Sequence, residues 1–245
     1  MYKTIYFFWF QGMSDAPKIV NKCLESWIYY NKDWKIVILD KANYIDYTDL
    51  VYDEKISLTK FSDFLRLSIL NKHGGLWVDS TCFCNKPLNE WLPEKCFIFE
   101  NLNISYTIST WFIYSEPNNY LIEKWYNSCL TSSNQEYIDH YFYFHIIFDK
   151  LCNTDIEFEN AWNDVKKINQ NDNLMYFDIN KYGNLHVKSD GFLEPLTNEV
   201  KSIILDKKKY LFKLSYKYDG NIRKDSILSF LFSTIEGVFD KNYTS

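Results

Sequence analysis

The chain has 245 residues, of which 47% are hydrophobic and 24% charged, and it carries a formal net charge of -5. This balance excludes a disordered chain, and the negative charge argues against nucleic acid as a partner, because phosphate-backbone affinity rests on an excess of Lys and Arg. The length allows one compact domain with a full core, and the 19% of aromatic residues supplies flat amphipathic faces for stacking on sugars or bases beyond what core packing uses.

In chain order, "KTIYFFWF" (3 to 10) is a continuous apolar and aromatic run, the mark of a strand buried on both faces. "SDAPKIVNKCLESWIYYN" then predicts a helix with Asp15 as N-cap, Pro17 in its first turn and an apolar stripe at Ile19, Val20, Cys23, Leu24 and Trp27. "WKIVILD" (34 to 40) is a second strand, which makes β-α-β the natural unit and a parallel sheet the expected scaffold. "SLTKFSDFLRLSILNKHGG" predicts a helix capped by Ser57 or Thr59 and stopped at Gly74, followed by "LWVD" as the next strand. "CFIFE" and "TWFIY" read as strands, 118 to 130 and 137 to 150 as helices, and 226 to 239 as a closing amphipathic helix, while 154 to 205 gives no clear pattern.

The six cysteines, at 23, 82, 84, 96, 129 and 152, lack metal-ligand spacing and read as small buried hydrophobes. The opening Met1-Tyr2-Lys3 lacks the pattern of a secretory leader, and no apolar run reaches membrane-spanning length. The expectation is a reduced, cytoplasmic protein with free thiols.

In an open α/β sheet, ligands sit beyond the carboxyl ends of the strands. Asp40 and Asp79 fall at such ends, where a carboxylate can hold Mg²⁺ or Mn²⁺ beside a phosphate or can simply cap a turn. Asp63 and Arg66 lie three residues apart on one helical face, as a surface ion pair or as a clamp for sugar hydroxyls and phosphate.

Taken together, "FFWFQGMSDAPKIVNKCLESW", "FSDFLRLSILNKHGGLWVDSTCF", "ISTWFIYSEPNNYLIEKW", "HYFYFHIIF" and "KLSYK" form an ordered set that resembles the capsular polysaccharide synthesis glycosyltransferases. That family is related to yeast initiating mannosyltransferases and the glucosylating clostridial toxins. The resemblance implies an α/β fold of GT-A (Rossmann-like) type, a single domain with a mostly parallel central sheet flanked by helices. Residues 1–115 would bind the nucleotide sugar, and 116–245 would form the acceptor-side and closing part. It implies donor contacts from Trp9, stacked on the base, and from Gln11, Asp63, Arg66, Trp77, Ser80, Lys213 and Lys217. A Mn²⁺ or Mg²⁺ ion would be held by "DST", with Asp79 and Thr81 as the metal residues. Thr81 stands where the wider superfamily has a second acidic ligand, which puts metal dependence in question. Asp79, Asp139 and His145 are the catalytic candidates, the last two to orient the acceptor hydroxyl or donate to a leaving oxygen. The expected partners are a nucleotide-sugar donor and a glycan acceptor that could be lipid-linked. No nucleic acid is expected, and at most peripheral contact with the inner face of a membrane, through Lys207, Lys208 and Lys209. The rival expectation is a non-catalytic carbohydrate-binding or degenerate transferase.

Overall fold

The computed structural model describes residues 1–101, 106–132, 140–168, 174–175, 189–216 and 222–236. Along them run β1 (Thr4–Phe8), α1 (Lys18–Tyr30), β2 (Lys35–Leu39), α2 (Leu58–His73), β3 (Gly75–Val78), β4 (Cys82–Cys84), β5 (Cys96–Glu100) and β6 (Ile108–Ser115). There follow α3 (Tyr120–Thr131), α4 (Tyr143–Thr154), α5 (Ile156–Asn163), β7 (Leu174–Met175), α6 (Asn198–Leu205), β8 (Leu211–Lys213) and α7 (Ile227–Ser233). The chain forms two compact units, the first from residues of 1–15, 33–79 and 92–170, the second from residues of 16–32, 80–91 and 171–245.

The first unit is built on a five-stranded sheet of order β2-β1-β3-β6-β5. β1 pairs parallel with β2 on one side and with β3 on the other, β3 and β6 are antiparallel, and so are β6 and β5. Four strands therefore point one way and β6 the other, the mostly parallel α/β sheet with flanking helices that the sequence leads one to expect. The apolar runs have their cause in this order. β1, β3 and β6 are interior strands covered on both faces, so Ile5 to Phe8, Leu76 to Val78 and Ile108 to Ser115 are all buried. β2 lies at the edge and alternates, leaving Lys35 and Ile38 exposed. Between α3 and α4, the Trp125 indole donates to Phe144 O at 2.9 Å and the Tyr143 hydroxyl to Cys129 O at 2.6 Å.

α2 begins at Ser57, whose hydroxyl accepts the Lys60 N–H at 3.2 Å, and stops at Gly74, whose N–H bonds to Leu70 O. Gly74 and Gly75 have φ of +63° and +99°, values that glycine adopts without strain. They turn the chain straight from α2 into β3. Asp15, expected as the N-cap of α1, does not cap it: residues Met13–Asp15 form a separate short turn, and the helix starts at Lys18, immediately after the extended Pro17. Pro17 fixes the entry because its ring presets φ and it has no N–H to leave unsatisfied.

In the second unit β4, β8 and β7 form a small sheet in that order, β4 and β8 antiparallel with Cys82 opposite Lys213. α1 belongs to this unit. The Trp27 indole donates to Cys82 O, Ser26 accepts the Cys84 N–H and Asn31 accepts the Leu88 N–H, each at 2.8 Å. Phe83 stacks on Phe232 of α7 at 6.1 Å. The helix expected over 137 to 150 is seen from Tyr143 on, with 133–139 outside the described residues, and that expected over 226 to 239 is seen as α7, with 237–239 outside them. No helix among the described residues is long and apolar enough to cross a membrane.

Candidate active site

β1, β2 and β3 run parallel, so Trp9, Asp40 and Asp79, each one residue past its strand, stand at the same edge of the five-stranded sheet. Asp79 is held there by its backbone N–H, which donates to Trp111 O of β6 at 2.9 Å. Its side chain stays 28% exposed. The Trp77 indole, itself only 1% exposed, donates to Asp79 Oδ1 at 3.3 Å.

Arg66 reaches the same carboxylate from α2. Its Nη2 stands 3.4 Å from Asp79 Oδ1 and 3.0 Å from Asp63 Oδ1. The remaining donors go to acceptors nearby: Nε to Ser62 O at 3.2 Å, Nη2 to Ser62 Oγ at 3.2 Å and Nη1 to Thr110 O at 2.5 Å. The guanidinium also lies 5.4 Å from the centre of the Trp77 ring. At 4% exposure it is a buried cation, and each of its three nitrogens has at least one acceptor. The sequence offered a surface ion pair or a clamp on the ligand. What forms is a buried fork that fixes two carboxylates side by side.

Asp63, 14% exposed, shows the cost of that placement. Burial pushes its carboxyl up to about 6, Arg66 pulls it down, and the Asp79 charge adds to the rise. His145, in the first turn of α4, is held neutral: burial pushes it down to about 4, and the Arg66 charge adds to the fall. Its Nδ1 is buried without a hydrogen-bond partner, and its ring packs on Tyr106 and Phe142 at 5.5 and 5.3 Å. Asp63, Arg66, Asp79 and His145 thus sit within one electrostatic neighbourhood. Asp139 lies outside the described residues.

At the other strand ends, Trp9 is half-buried and its backbone N–H donates to Leu39 O at 2.9 Å. Gln11 is exposed in the turn that Gly12, at φ +90°, closes back onto Trp9 O. Asp40 is a turn cap: its Oδ1 accepts the Ala42 N–H at 2.7 Å, and its own N–H bonds to Asn43. Trp111, exposed to only a small extent, stacks on Phe99 at 5.1 Å.

In the second unit, Ser80 is half-buried and Thr81 is 8% exposed. The Thr81 hydroxyl accepts a hydrogen bond from Lys213 Nζ at 2.8 Å, and its carbonyl accepts the Leu214 N–H at 2.8 Å. Lys217 lies outside the described residues. The Lys207 ammonium hydrogen-bonds to Tyr30 Oη and Asn85 Oδ1, and Lys208 pairs with Asp206 at 3.4 Å.

The GT-A fold class commonly works with a divalent cation, which here would fall to Asp79 and Thr81. The donor set does not fit one. Asp79 Oδ1 is already engaged by a guanidinium and an indole N–H, and Thr81 Oγ1 by an ammonium. Among the described residues no three His, Cys, Asp or Glu side chains converge on a point.

Sequence reasoning missed Ser62 and Thr110 as holders of Arg66, and the role of Trp77 as a donor to Asp79. Ser62 stands four residues before Arg66, a spacing that places it on the same helical face. Thr110 depends on the pairing of β6 with β3, which nothing local announces.

A family model described as "Capsular polysaccharide synthesis protein" matches residues 1–231. Among solved structures, a glycosyltransferase involved in the glycosylation of the major capsid of PBCV-1 shares 12% identity with this chain, covering 95% of it and 98% of its own length, with a TM-score of 0.50. The apo-form glycosyltransferase GlyE of Streptococcus pneumoniae TIGR4 shares 12% identity and covers 97% of this chain, with a TM-score of 0.54; the chain spans 60% of GlyE's length. At such identities the likeness is one of fold, and the fold is that of the GT-A glycosyltransferases. No curated protein sequence matches the chain.

Proposed function

The chain belongs to the family of capsular polysaccharide synthesis proteins, and on that premise we propose that it transfers a monosaccharide from a nucleotide diphosphate sugar to a hydroxyl of a capsule or cell-surface oligosaccharide. Residues 1–115 carry the donor side and 116–245 the acceptor side of this reading, and transfer proceeds by front-face attack with retention. The observation that carries it is the buried Arg66, which holds Asp63 and Asp79 together at the carboxyl edge of a parallel sheet. Two carboxylates fixed in this way accept hydrogen bonds from the hydroxyls of a bound sugar, with their geometry set before the ligand arrives. Arg66 is then a positioning residue, and Trp77 another, acting through Asp79.

Trp9 offers a half-buried aromatic face for the base beside the exposed Gln11. Ser80 and Lys213 are assigned to the diphosphate. His145, neutral at physiological pH, is a proton acceptor suited to orienting an attacking hydroxyl. No step is routed through a metal ion, because the donor set does not fit one.

Thermal-shift titration with UDP-, GDP- and CMP-sugars tests the reading. The true donor at about 100 times its Kd stabilises by about 2.7 kcal/mol, which raises Tm by roughly 5–10 °C for a chain of this size. If none of these raises Tm, the reading falls. Transfer to a glycan acceptor then checks the roles. Arg66→Lys should lower kcat by tenfold or more, because a point charge replaces a fork that holds two carboxylates, and full activity in that variant would remove Arg66 from the site. Tight binding with neither transfer nor hydrolysis would mark a sugar-binding protein without turnover.

A further inference from the structure

We propose that Phe142, with Tyr106, His140 and Tyr141 around it, is an aromatic platform that receives the C–H face of an uncharged pyranose of the glycan acceptor. The inference rests on the reading above, that the chain transfers a sugar to such an acceptor. Strand pairing puts the platform beside the site. β6 runs antiparallel to β3, so it begins at the edge where Asp79 stands, and Tyr106 comes just before its first residue, Ile108. The Thr107 N–H donates to Asp149 Oδ1 at 3.2 Å and ties this entry to α4. Phe142, the residue before α4, then meets Tyr106 at 4.8 Å between ring centres and His145 at 5.3 Å.

The aromatic run from His140 to Phe144 divides by exposure. Tyr143 and Phe144 are core residues at 0% and 2%, whereas Tyr141 is 72% exposed, His140 is exposed, and Phe142 and Tyr106 are half-buried. Tyr141 stands edge-on to Phe142 at 4.9 Å, and His140 lies 6.0 Å from it. Core packing accounts for Tyr143 and Phe144 and not for the outer rings, whose faces stay in water. A pyranose suits such a surface, because one of its faces is a patch of C–H groups that packs on a ring while its rim is hydroxyls that need polar partners. The rims of these rings supply them. His140 Nδ1 accepts the Phe142 N–H at 3.1 Å, which puts the ring proton on Nε2 as a donor, and the hydroxyls of Tyr106 and Tyr141 both donate and accept. Among the described residues no ammonium or guanidinium lies over the four rings, so the cluster favours an uncharged sugar over one that carries a carboxylate. His145 links the platform to the carboxylates: its Nδ1 is buried, so Nε2 is the nitrogen that can meet a ligand, and its ring rests on both Phe142 and Tyr106.

Saturation-transfer NMR on the whole protein tests the platform, with methyl β-glucopyranoside, methyl β-galactopyranoside and methyl β-glucuronide as probes. Irradiating the aromatic protons should saturate the protons on one face of a neutral glycoside, without competition from the nucleotide sugar. Tyr141→Ala, at a side chain too exposed to endanger the fold, and Phe142→Leu should each weaken that binding roughly three- to tenfold, on the scale of one aromatic contact. The Tm shift given by the nucleotide sugar should stay as in the wild type. If no glycoside binds, if both variants bind as the wild type does, or if the glucuronide binds tightest, the proposal fails while the donor reading stands. It fails in the same way if the glycoside competes with the nucleotide sugar, or if Tyr141→Ala loses self-association in the ultracentrifuge instead of sugar binding, the mark of a contact between copies. A protein whose Tm no nucleotide sugar moves removes the transfer reading and this inference with it.

Discussion

A guanidinium that is 4% exposed can be satisfied only by acceptors brought to it, and Arg66 finds them on its own helix, on β6 and at the end of β3. The electrostatic consequence is measurable at two neighbours that titrate in opposite senses. Asp63 rises from 3.8 to about 6, so the native protein binds more protons than the unfolded chain between those values, and this term lowers stability as pH rises from about 4 to 6. His145 falls from 6.5 to about 4, so there the unfolded chain binds more protons, and this term raises stability as pH rises from about 4 to 6.5. The two slopes oppose each other in the wild type. Asp63→Asn should therefore steepen the gain in Tm from pH 4 to 6.5, and His145→Gln should flatten or reverse it. Identical pH profiles for all three proteins would contradict the placement of both groups. Much of this was legible in the sequence: Asp63, Arg66 and Asp79 are singled out by helical spacing and by strand-end position, and they do come together. The engagement of Arg66 was not, because burial of a charged side chain depends on a strand more than forty residues away.

The elements that carry these residues depend on how α2 turns into β3. A Cβ on Gly75 would lie 2.7 Å from Thr4 O of the neighbouring strand segment, and one on Gly74 2.6 Å from the Pro117 ring. The backbone at Gly75 also has a φ that other residues adopt only with strain. Gly75→Ala should cost about 1–3 kcal/mol, each kcal/mol lowering Tm by roughly 2–4 °C for a chain of this size. Differential scanning calorimetry checks it, and an unchanged Tm would mean that the turn is not built this way. This segment was legible because its signals are local: a serine cap, a periodic apolar face, two glycines, then a β-branched and aromatic run. The antiparallel insertion of β6 was not, since "TWFIY" reads the same in either direction. α5 and α6 escaped notice because eight-residue helices give too few turns for a period to stand out. The caps that fix them, Asp155 on Phe158 and Thr197 on Val200, become evident only once the helix ends are known.

At the scale of the whole molecule, the two compact units take alternating segments of the chain, because strands of the two sheets alternate along it: β3 and β4 are separated by three residues and belong to different units. Neither unit is a continuous stretch, which is why composition along the sequence shows no boundary, while the ordered blocks of family resemblance span both. The cysteines divide evenly across this interleaving. Cys23, Cys82 and Cys84 lie in the second unit and Cys96, Cys129 and Cys152 in the first. All six are free and all but Cys152 are buried; burial foremost pushes Cys84 and Cys96 up to about 12 and Cys152 up to about 11. At pH 8 these three carry almost no thiolate, and a maleimide or disulfide reagent can modify the buried five only when the surrounding structure opens. Mass spectrometry over time should find one slow adduct, on Cys152, under native conditions and the other five only as denaturant is added; several rapid adducts without denaturant would contradict the packing. Peptide mapping of those adducts would turn the native thiols into two sets of stopwatches, timing separately the loosening of each half of an interwoven chain with no label introduced.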